Sequence, residues 1–475
     1  MKRTLSLLLT FLFLLFTAAP AFAADYAPDF ENDPDAARAI FLQPGSDESE
    51  RNLSWYMPAG TKRFSVVLSE SPDLSNARSF GGKAEPTPQK DLAAAVTVTD
   101  LKADTTYYYA CETDGERSGV YSFSTSGSAF TALYTTDIHI SDEPDEPGLW
   151  MRHAERWADV LAQARSKAGS LDLVLSAGDQ ATYGSRTEYT GLTASPLMKA
   201  VSFAPAIGNH DRKNVDFRYF TNLPNETARP LDSQQGGDYW FVKGNVLFLV
   251  MDSNNADGAG HSAFLREAIA KNPEAKWRVL MMHHDLWGQT IEHREKENRA
   301  LRLLWTPMID ENDIDLALLG HSHYFSVSNV LVKGKTTQKI EPNAELTNAD
   351  GTVYMVSASI NHPRGGDPFT YGPNVGVGVE DPTRIVYNLI DFTEDQITVK
   401  AVYYDTGEVF NTLTLKKTDE ATPTSFSLWD LICRAFVGFI GRIYAVFNQI
   451  GNAHDLREKG VDASFLGHAV QTVLN

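Results

Sequence analysis

Aspartate, asparagine and histidine side chains follow five separate apolar runs of this 475-residue chain. The segments that hold them are Asp137-Ile138-His139, Gly178-Asp179, Gly208-Asn209-His210-Asp211, His283-His284 and Gly320-His321-Ser322-His323. In open α/β sheets the carboxyl ends of strands meet at one cleft, so residues distant in sequence can converge there. Carboxylate, amide and imidazole donors suit manganese, iron or zinc better than calcium. The sequence therefore predicts a cleft that holds metal ions.

The spacing inside these segments favours a shared centre. In the first and last segments the two ligand-type residues are two positions apart, and an extended backbone sends such side chains to the same side. A glycine directly precedes Asp179, Asn209 and His321, and allows a sharp turn where a side chain would crowd an ion or a phosphate. We expect two ions, with one carboxylate bridging them.

The five segments, in this order, resemble the signature of the calcineurin-like metallophosphoesterases: D-x-H, G-D, G-N-H-D/E, H and G-H-x-H. The resemblance covers about residues 130–417. Together with the segment before it, the layout is similar to that of purple acid phosphatases with a fibronectin type III-like N-terminal domain. The resemblance implies hydrolysis of phosphate mono- or diesters, with a hydroxide generated at the metal pair as the nucleophile.

The resemblance also implies a role for each residue. Asp137, His139 and His323 would bind the first metal, Asp179 would bridge both ions, and Asn209, His283 and His321 would bind the second. His283 is preferred to His284 because it stands six residues after Trp277, which matches the W-x5-H pattern of the family. His210 would contact the phosphate and protonate the leaving oxygen instead of binding a metal.

One position departs from the purple enzymes, which carry a ferric-iron tyrosine three residues after the bridging aspartate. Here that position is Thr182, and Tyr183 follows it. A shift of one residue reverses the direction of a side chain in extended backbone. The purple branch also usually lacks the histidine of D-x-H, which is present here as His139. We therefore expect His139 to complete the first site, with iron, manganese or zinc as the ions.

The neighbours of these residues carry weaker predictions. Asp211 is expected either to orient His210 or to be an exposed or helix-capping residue. His153 is predicted to lie on the surface of a helix. His284, Trp287 and Tyr324 adjoin the ligands and would either line the substrate cleft or pack against neighbours, and packing is the favoured role for the aromatic side chains. His362 and Arg364 lie in a glycine-rich loop, where Arg364 would meet either a phosphate or a surface carboxylate.

Apolar patterning divides the rest of the chain. Residues 37–125 contain short apolar runs separated by Pro, Gly, Asn and Asp, which predicts strands without ordinary helices. After residue 127 the pattern becomes strand, helix, strand, with a helix expected over 149–168. Further apolar runs at 246–251 and 277–282 predict strands, and helices are expected over 262–270 and 297–309. The predicted fold is α/β: a metallophosphoesterase β-sandwich flanked by helices, preceded by an all-β fibronectin III-like sandwich. The predicted limits are 25–127 for the sandwich and 128–417 for the catalytic domain.

The N-terminal unit contains a tyrosine at a turn. The stretch 101–107, which ends at Tyr107, resembles the fibronectin-type element in which a tyrosine hydroxyl ties a strand to the preceding corner. Alternation places Tyr107, Tyr109 and Cys111 on one face, so Cys111 is predicted to be a buried, unreactive thiol. The unit contains no histidine, and nothing in it indicates chemistry.

The two ends of the chain predict location and contacts. Lys2 and Arg3 precede an apolar run and an Ala21-Phe22-Ala23 cleavage pattern, so residues 1–24 are predicted to be a bacterial-type signal peptide of a secreted protein, the alternative being an uncut anchor. Residues 418–475 form a predicted linker and amphipathic helical tail. This tail would dock on the protein, mediate an oligomer contact or lie on a membrane surface.

Charge and composition limit the partners. The chain carries 42 Lys and Arg against 61 Asp and Glu, a formal charge of −19 that opposes binding of bulk nucleic acid. A small phosphoester is therefore the expected partner. Two functions stay open: a secreted metallophosphoesterase, and a binding or adhesion protein on an inactive phosphatase scaffold. The first is favoured because neither Asp179 nor His210 is missing.

Overall fold

The computed structural model describes residues 27–227, 237–255, 257–288, 292–364 and 370–418. The predicted signal peptide and nearly all of the predicted linker and tail, from residue 419 onward, lie outside these residues. Within the described residues, no helix combines the length and the apolar content needed to cross a membrane.

The N-terminal region is built from strands, as expected. They are β1 (Phe41–Pro44), β2 (Arg51–Met57), β3 (Phe64–Ser69), β4 (Arg78–Phe80), β5 (Lys83–Pro86), β6 (Leu92–Val98), β7 (Thr106–Thr113), β8 (Glu116–Arg117) and β9 (Tyr121–Ser124). One sheet has the order β1-β2-β6-β5, and the other has the order β4-β3-β7-β8 with β9 paired to β7. A short 3-10 helix, Ala36–Arg38, precedes the first strand.

Aromatic and aliphatic side chains fill the space between these two sheets. Trp55, Tyr109 and Cys111 belong to the buried cluster, and burial raises the pKa of the Cys111 thiol. The hydroxyl of Tyr107 accepts a hydrogen bond of 2.8 Å from the backbone N–H of Lys102. The predictions of a buried cysteine and of a tyrosine tied to the preceding corner are therefore confirmed.

The second region alternates strands and helices. Its first half contains β10 (Phe130–Thr135), α1 (Leu149–Ala168), β11 (Leu173–Ser176), α2 (Arg186–Thr193), β12 (Ser202–Pro205) and α3 (Asp216–Phe220). The middle contains β13 (Tyr239–Lys243), β14 (Val246–Met251), α4 (Gly258–Lys271), β15 (Trp277–Met282), α5 (Glu292–Glu311) and β16 (Leu316–Leu319). Short 3-10 helices occur at Pro196–Lys199 and Asp211–Lys213.

The last part of this region contains strands. They are β17 (Ser326–Ser328), β18 (Val330–Val332), β19 (Lys335–Gln338), β20 (Glu345–Thr347), β21 (Val353–Val356), β22 (Val375–Gly378), β23 (Val386–Phe392), β24 (Gln396–Tyr403) and β25 (Val409–Lys416). The α/β class predicted from the sequence is confirmed.

Two seven-stranded sheets form the body of this region. Their orders are β12-β11-β10-β23-β24-β25-β20 and β13-β14-β15-β16-β21-β17-β22. Strands β10, β11 and β12 run parallel in the first sheet, and β14, β15 and β16 run parallel in the second. Because parallel strands end at the same edge, the loops after β10, β11 and β12 meet those after β15 and β16. That edge carries the predicted metal ligands.

Apolar side chains join the two sheets and cover their outer faces. Phe248 of β14 meets Phe392 of β23 with ring centroids 5.6 Å apart, and the Tyr134 hydroxyl donates to the Leu319 carbonyl of the opposite sheet. On the outside of the first sheet, Trp157 of α1 meets Phe203 edge to face. Helices α4 and α5 contribute buried residues to a separate cluster on the second sheet.

The N-terminal sandwich contacts the catalytic region beside α2. The Arg186 guanidinium lies 3.6 Å from the centroid of the Tyr56 ring and pairs with the Asp91 carboxylate. Its second nitrogen donates to the Gln89 side chain at 3.2 Å, and the Ser54 hydroxyl donates to the Phe220 carbonyl at 2.5 Å. These contacts connect the two regions close to the loop that follows β11.

Candidate metal centre

The predicted ligands lie just past strand ends, on tightly turned backbone. Strand β10 ends at Thr135, and Asp137 and His139 follow it with φ angles of 50° and 51°. Their side chains therefore share a side because of left-handed backbone, and the expected reason, strand alternation, is wrong. Asp179, His321 and His323 also have positive φ angles, of 53°, 70° and 64°.

The first group of donors consists of Asp137, His139 and His323. One ligand atom of each lies within 4.8 Å of the others. His323 Nε2 is 3.1 Å from Asp137 Oδ1 and 3.2 Å from His139 Nε2. Asp137 Oδ1 is buried and accepts no hydrogen bond from the described residues. An oxygen and two nitrogens that face one another with lone pairs fit a cation better than they fit each other.

The second group is joined to the first by Asp179. Its Oδ2 lies 3.7 Å from His139 Nε2 and 3.2 Å from His283 Nε2. Asp179, His283 and His321 form a set whose ligand atoms lie within 4.8 Å of one another. The Asn209 amide oxygen lies 3.1 Å from His283 Nε2. All seven predicted ligands thus belong to one cluster, with an Asp179 oxygen between its halves.

Hydrogen bonds from outside hold these donors in place. The outer ring nitrogens of three of the four ligand histidines contact oxygen: His139 Nδ1 lies 3.2 Å from Thr182 Oγ1, His283 Nδ1 2.9 Å from the Ala177 carbonyl, and His323 Nδ1 2.8 Å from the His362 carbonyl. Fixing Nδ1 in this way leaves Nε2 as the inward donor.

Each carboxylate is anchored in the same manner. Asp137 Oδ2 accepts from the Thr136 hydroxyl at 2.7 Å and from the His321 N–H at 2.9 Å. Asp179 Oδ1 accepts from the His210 N–H at 2.8 Å. One oxygen of each group is therefore held by the protein, and the other faces the cluster.

Two glycines allow the segments to approach so closely. A Cβ at Gly208 would collide with the Asp179 carboxylate, and a Cβ at Gly320 would collide with the Thr136 side chain. A side chain at either position would therefore be crowded by protein atoms, whereas the sequence predicted crowding of an ion or a phosphate.

Burial and mutual attraction set the charges of the cluster. Burial opposes ionisation of Asp179, but the neighbouring His283 holds its pKa at about 2. Burial likewise opposes protonation of His283, but the Asp179 carboxylate raises its pKa to about 9. The pKa of His139 lies well below its usual value because the ring is buried. His283 thus keeps a proton that faces the ionised Asp179, and a metal ion bound by both groups would replace this proton.

Comparison with known proteins matches the same two regions. Residues 130–325 match the family model described as calcineurin-like phosphoesterase, and residues 37–125 match the purple acid phosphatase N-terminal domain. The chain therefore carries a calcineurin-like metallophosphoesterase domain behind a purple acid phosphatase N-terminal domain.

Relatives and solved structures agree with this. The 3',5'-cyclic adenosine monophosphate phosphodiesterase CpdA of Haemophilus influenzae is 24% identical over 203 residues, which cover 40% of this chain and 69% of that protein. Two other curated relatives are matched over only 34% of their length.

Purple acid phosphatase PPD1 from yellow lupin seeds superposes with a TM-score of 0.63 at 14% identity, covering 84% of this chain and 78% of that one. A structure of PhoD superposes with a TM-score of 0.52 at 14% identity, covering 89% and 100%. Both likenesses show a shared fold, and their identity is too low to transfer an activity.

In the phosphoesterase domain, Tyr183 faces away from the donor cluster. Its side chain is 40% exposed, and its hydroxyl donates to the Glu143 carboxylate at 2.9 Å. Thr182, which stands at the tyrosine position of the purple enzymes, contacts His139 through its hydroxyl. The geometry therefore places His139, and not Tyr183, at the first group of donors.

His283 and His284 are separated by their surroundings. His283 lies in the cluster, whereas His284 Nδ1 lies 2.8 Å from the Ser253 hydroxyl and its ring lies beside that of His321.

Tyr324 is buried and Arg364 lies near its ring. Tyr324 therefore packs, as favoured from the sequence.

Two expectations about neighbouring residues are wrong. His153 is buried instead of lying on the surface, because Ser141 donates its N–H to the His153 ring and the His362 ring packs against it. Asp211 does not orient the ring of His210, does not lie exposed and does not cap a helix, because its hydrogen bonds go to Ala181, Gly208 and Tyr189. It is fully buried, and its oxygens accept from the N–H groups of Ala181 and Gly208.

Sequence reasoning missed several side chains that support the site. Glu188 caps α2 together with Ser185 and also accepts from the N–H of Tyr183. The S-x-x-E spacing of Ser185 and Glu188 is the signal that could have found this helix start. Lys213, whose ammonium lies 2.7 Å from His210 Nδ1, has no comparable signal, because the contact depends on a local turn.

Proposed function

We propose that this protein is an exported phosphoesterase that uses two metal ions to hydrolyse phosphate monoesters or diesters. The proposal rests on the family of the catalytic domain and on one geometric observation. An oxygen of Asp179 lies between His139 Nε2 and His283 Nε2, at 3.7 and 3.2 Å, so one carboxylate joins two sets of donors.

The residues present fit a pair of ions. Asp137, His139 and His323 would hold one ion, and Asn209, His283 and His321 the other, with Asp179 shared. Two ions in such a site supply an activated water and neutralise charge on the phosphoryl oxygens. Iron, manganese or zinc suits these nitrogen and oxygen donors.

His210 has the position expected of a group that contacts substrate. One of its ring nitrogens lies within 4.8 Å of ligand atoms of His139 and Asp179, while its backbone N–H holds the Asp179 carboxylate. Its Nδ1 is turned toward Thr182 and Lys213, so Nε2 is the atom that can donate to a substrate oxygen. Donors placed this way contribute about a hundred to ten thousand-fold to the rate.

The experiment is an assay of the purified protein on p-nitrophenyl phosphate, bis-p-nitrophenyl phosphate and 3',5'-cyclic AMP. The cyclic diester is included because the matched Haemophilus influenzae relative is named for that activity. We expect hydrolysis that disappears after chelation and returns with added manganese. Binding of metal without hydrolysis of any ester would favour the alternative, a binding protein on an inactive scaffold.

The same preparation tests the type of centre. Because Tyr183 donates its hydroxyl to Glu143, we propose that no tyrosinate binds iron and that the loaded protein lacks the purple absorption band. A strong visible charge-transfer band after iron loading would contradict this.

Sequence features support the proposed export of the protein and its proposed partner, a small phosphoester. The basic start and apolar run of residues 2–16 support export, and the formal charge of −19 supports a small phosphoester over bulk nucleic acid. We also propose that residues 25–127 form a fibronectin type III-like unit, which is supported by the hydrogen bond between Tyr107 and Lys102. N-terminal sequencing of exported protein would test the predicted cleavage.

A further inference from the structure

Lys213 lies beside the substrate-facing histidine and belongs to none of the groups of metal donors. Its ammonium nitrogen is 2.7 Å from His210 Nδ1 and 3.0 Å from the Thr182 carbonyl oxygen. The 3-10 helix Asp211–Lys213 creates this contact, since the Lys213 N–H donates to the His210 carbonyl and brings the side chain back over the ring. The ammonium also lies 5.1 Å from the centroid of the Tyr183 ring.

The group that sequence reasoning offered as an orienter of His210 is engaged elsewhere. The Asp211 carboxylate accepts hydrogen bonds from Gly208, Ala181 and Tyr189, and is fully buried. Among the hydrogen bonds between described residues, the side-chain partner of His210 Nδ1 is the Lys213 ammonium, which is a cation.

Three polar atoms form a triangle at this point. His210 Nδ1 lies 2.9 Å from the Thr182 oxygen, and Lys213 Nζ lies close to both. An ammonium is a donor only, so a proton on Nδ1 would set two donors against each other at 2.7 Å. With Nδ1 unprotonated, Nδ1 and the carbonyl oxygen are two acceptors 2.9 Å apart, and the Lys213 ammonium offsets their repulsion by donating a charge-assisted hydrogen bond to each. That arrangement leaves the ring proton on Nε2.

We propose that Lys213 is a positioning residue that holds the His210 ring as an Nε2–H donor aimed at the leaving-group oxygen. This inference rests on the proposed function. As the bond between phosphorus and the leaving oxygen lengthens, negative charge grows on that oxygen, and the hydrogen bond from Nε2–H stabilises it. The benefit is greatest for poor leaving groups, since their oxygen carries more charge in the transition state.

The kinetic experiment compares two monoesters that differ only in the leaving group, phenyl phosphate and p-nitrophenyl phosphate. For Lys213→Met we expect kcat/KM to fall about 10- to 100-fold on phenyl phosphate and about 3-fold or less on p-nitrophenyl phosphate. His210→Ala should show the same preference, and the double variant should be no slower than His210→Ala. Lys213→Arg, which keeps a charged donor, should recover part of the loss.

A matched control is Lys271→Met on α4, because this lysine is exposed and pairs with Glu267 on the same helix surface. It should match the wild type on both esters. Equal losses on both esters that appear only in KM would show that Lys213 binds substrate charge instead, and would overturn the proposal. Additive losses in the double variant would overturn it as well.

A spectroscopic readout separates this inference from the proposed function. Nitrogen-15 NMR of histidine-labelled full-length protein distinguishes a protonated from an unprotonated Nδ1 without any turnover. We expect His210 to carry its proton on Nε2 in the wild type and to lose this preference in Lys213→Met. A proton on Nδ1 in the wild type would refute the role of Lys213. A wild type that hydrolyses neither these two monoesters nor the diesters bis-p-nitrophenyl phosphate and 3',5'-cyclic AMP would refute the proposed function.

Discussion

The N-terminal sandwich and the phosphoesterase domain use left-handed backbone in different surroundings. In the sandwich, Asp100, Asp104 and Asp114 have φ angles of 56°, 49° and 48° and lie in exposed turns. In the phosphoesterase domain, Asp137 and Asp179 have nearly the same angles, 50° and 53°, yet both are fully buried. The same backbone conformation therefore occurs in exposed turns of one region and at buried candidate metal ligands of the other.

The difference shows how strain is kept at a site. A left-handed residue other than glycine costs about 1 to 3 kcal/mol at such positions. In an exposed turn, Asp and Asn side chains tolerate this conformation well. In the core the conformation is imposed by its surroundings: Asp137 donates its N–H to the Gly178 carbonyl, and His139 donates to the Asp179 carbonyl. The strands on either side fix these loops, so the packing of the sheets offsets the free-energy cost of the left-handed backbone.

The variant with the largest expected effect tests whether catalysis depends on the buried donor cluster of the phosphoesterase domain. Asp179→Asn removes the oxygen that joins the two donor sets, so we expect metal content to drop and kcat to fall at least about a thousandfold. Metal analysis and p-nitrophenyl phosphate hydrolysis measure this.

The matched change in the sandwich is Tyr107→Phe, which removes the acceptor of the Lys102 N–H. It should lower the free energy of unfolding by about 1 kcal/mol and leave kcat unchanged. A loss of turnover in this variant comparable to that of Asp179→Asn would break the comparison.

The second effect concerns the packing that supports the loops. Asp211 accepts from Gly208 and Ala181 N–H groups at 2.9 and 3.1 Å and from the Tyr189 hydroxyl at 3.0 Å. Asp211→Asn turns an NH₂ group toward one of these donors and should lower the free energy of unfolding by about 1 to 3 kcal/mol. Urea denaturation measures the change. The same exchange at exposed Asp104 should lie within about 0.5 kcal/mol of the wild type.

The smallest effect measures the strain itself. His323 has a φ of 64° and is 18% exposed, so its replacement loses little burial. In the presence of a chelator, His323→Gly should be more stable than His323→Ala by about 1 kcal/mol. The reason is that the Cβ of alanine makes left-handed backbone sterically unfavourable, whereas glycine has no Cβ. Both variants should lose activity.

Glycine and alanine variants at two other positions, Asp104 and Glu155, serve as controls for this comparison. At Asp104, in its exposed turn, glycine should again be more stable than alanine, with activity retained. At Glu155, on the exposed face of α1, the order should reverse by about 1 kcal/mol. Alanine more stable than glycine at position 323 would show that the backbone there is not strained.

Much of the fold could be predicted from the sequence. The predicted runs at 246–251 and 277–282 coincide with β14 and β15, and the predicted helix 149–168 coincides with α1. The spacing and the length of the apolar runs predict these elements correctly, because each element buries one face or both along its whole length. By contrast α4 and α5 extend beyond their predicted ranges of 262–270 and 297–309, since helix ends depend on caps and neighbours.

The outer part of the site was harder to predict. His153 belongs to an amphipathic helix, and whether it faces water depended on His362 arriving from a loop more than two hundred residues later. Lys213 meets His210 only because a 3-10 helix folds the side chain back. No local pattern encodes either contact.

The sequence alone determined which side chains would form the cluster of candidate metal ligands and which end of the strands would carry them. Residue type and the order of the segments are properties of the chain, and apolar runs indicate where strands end. Only the tertiary structure decided how those side chains face each other. It packs two sheets face to face, forces Asp137 and His139 into left-handed backbone and anchors the Nδ1 atoms of three ligand histidines outward. Such geometry arises from contacts between distant segments, and those contacts exist only once the sheets have packed.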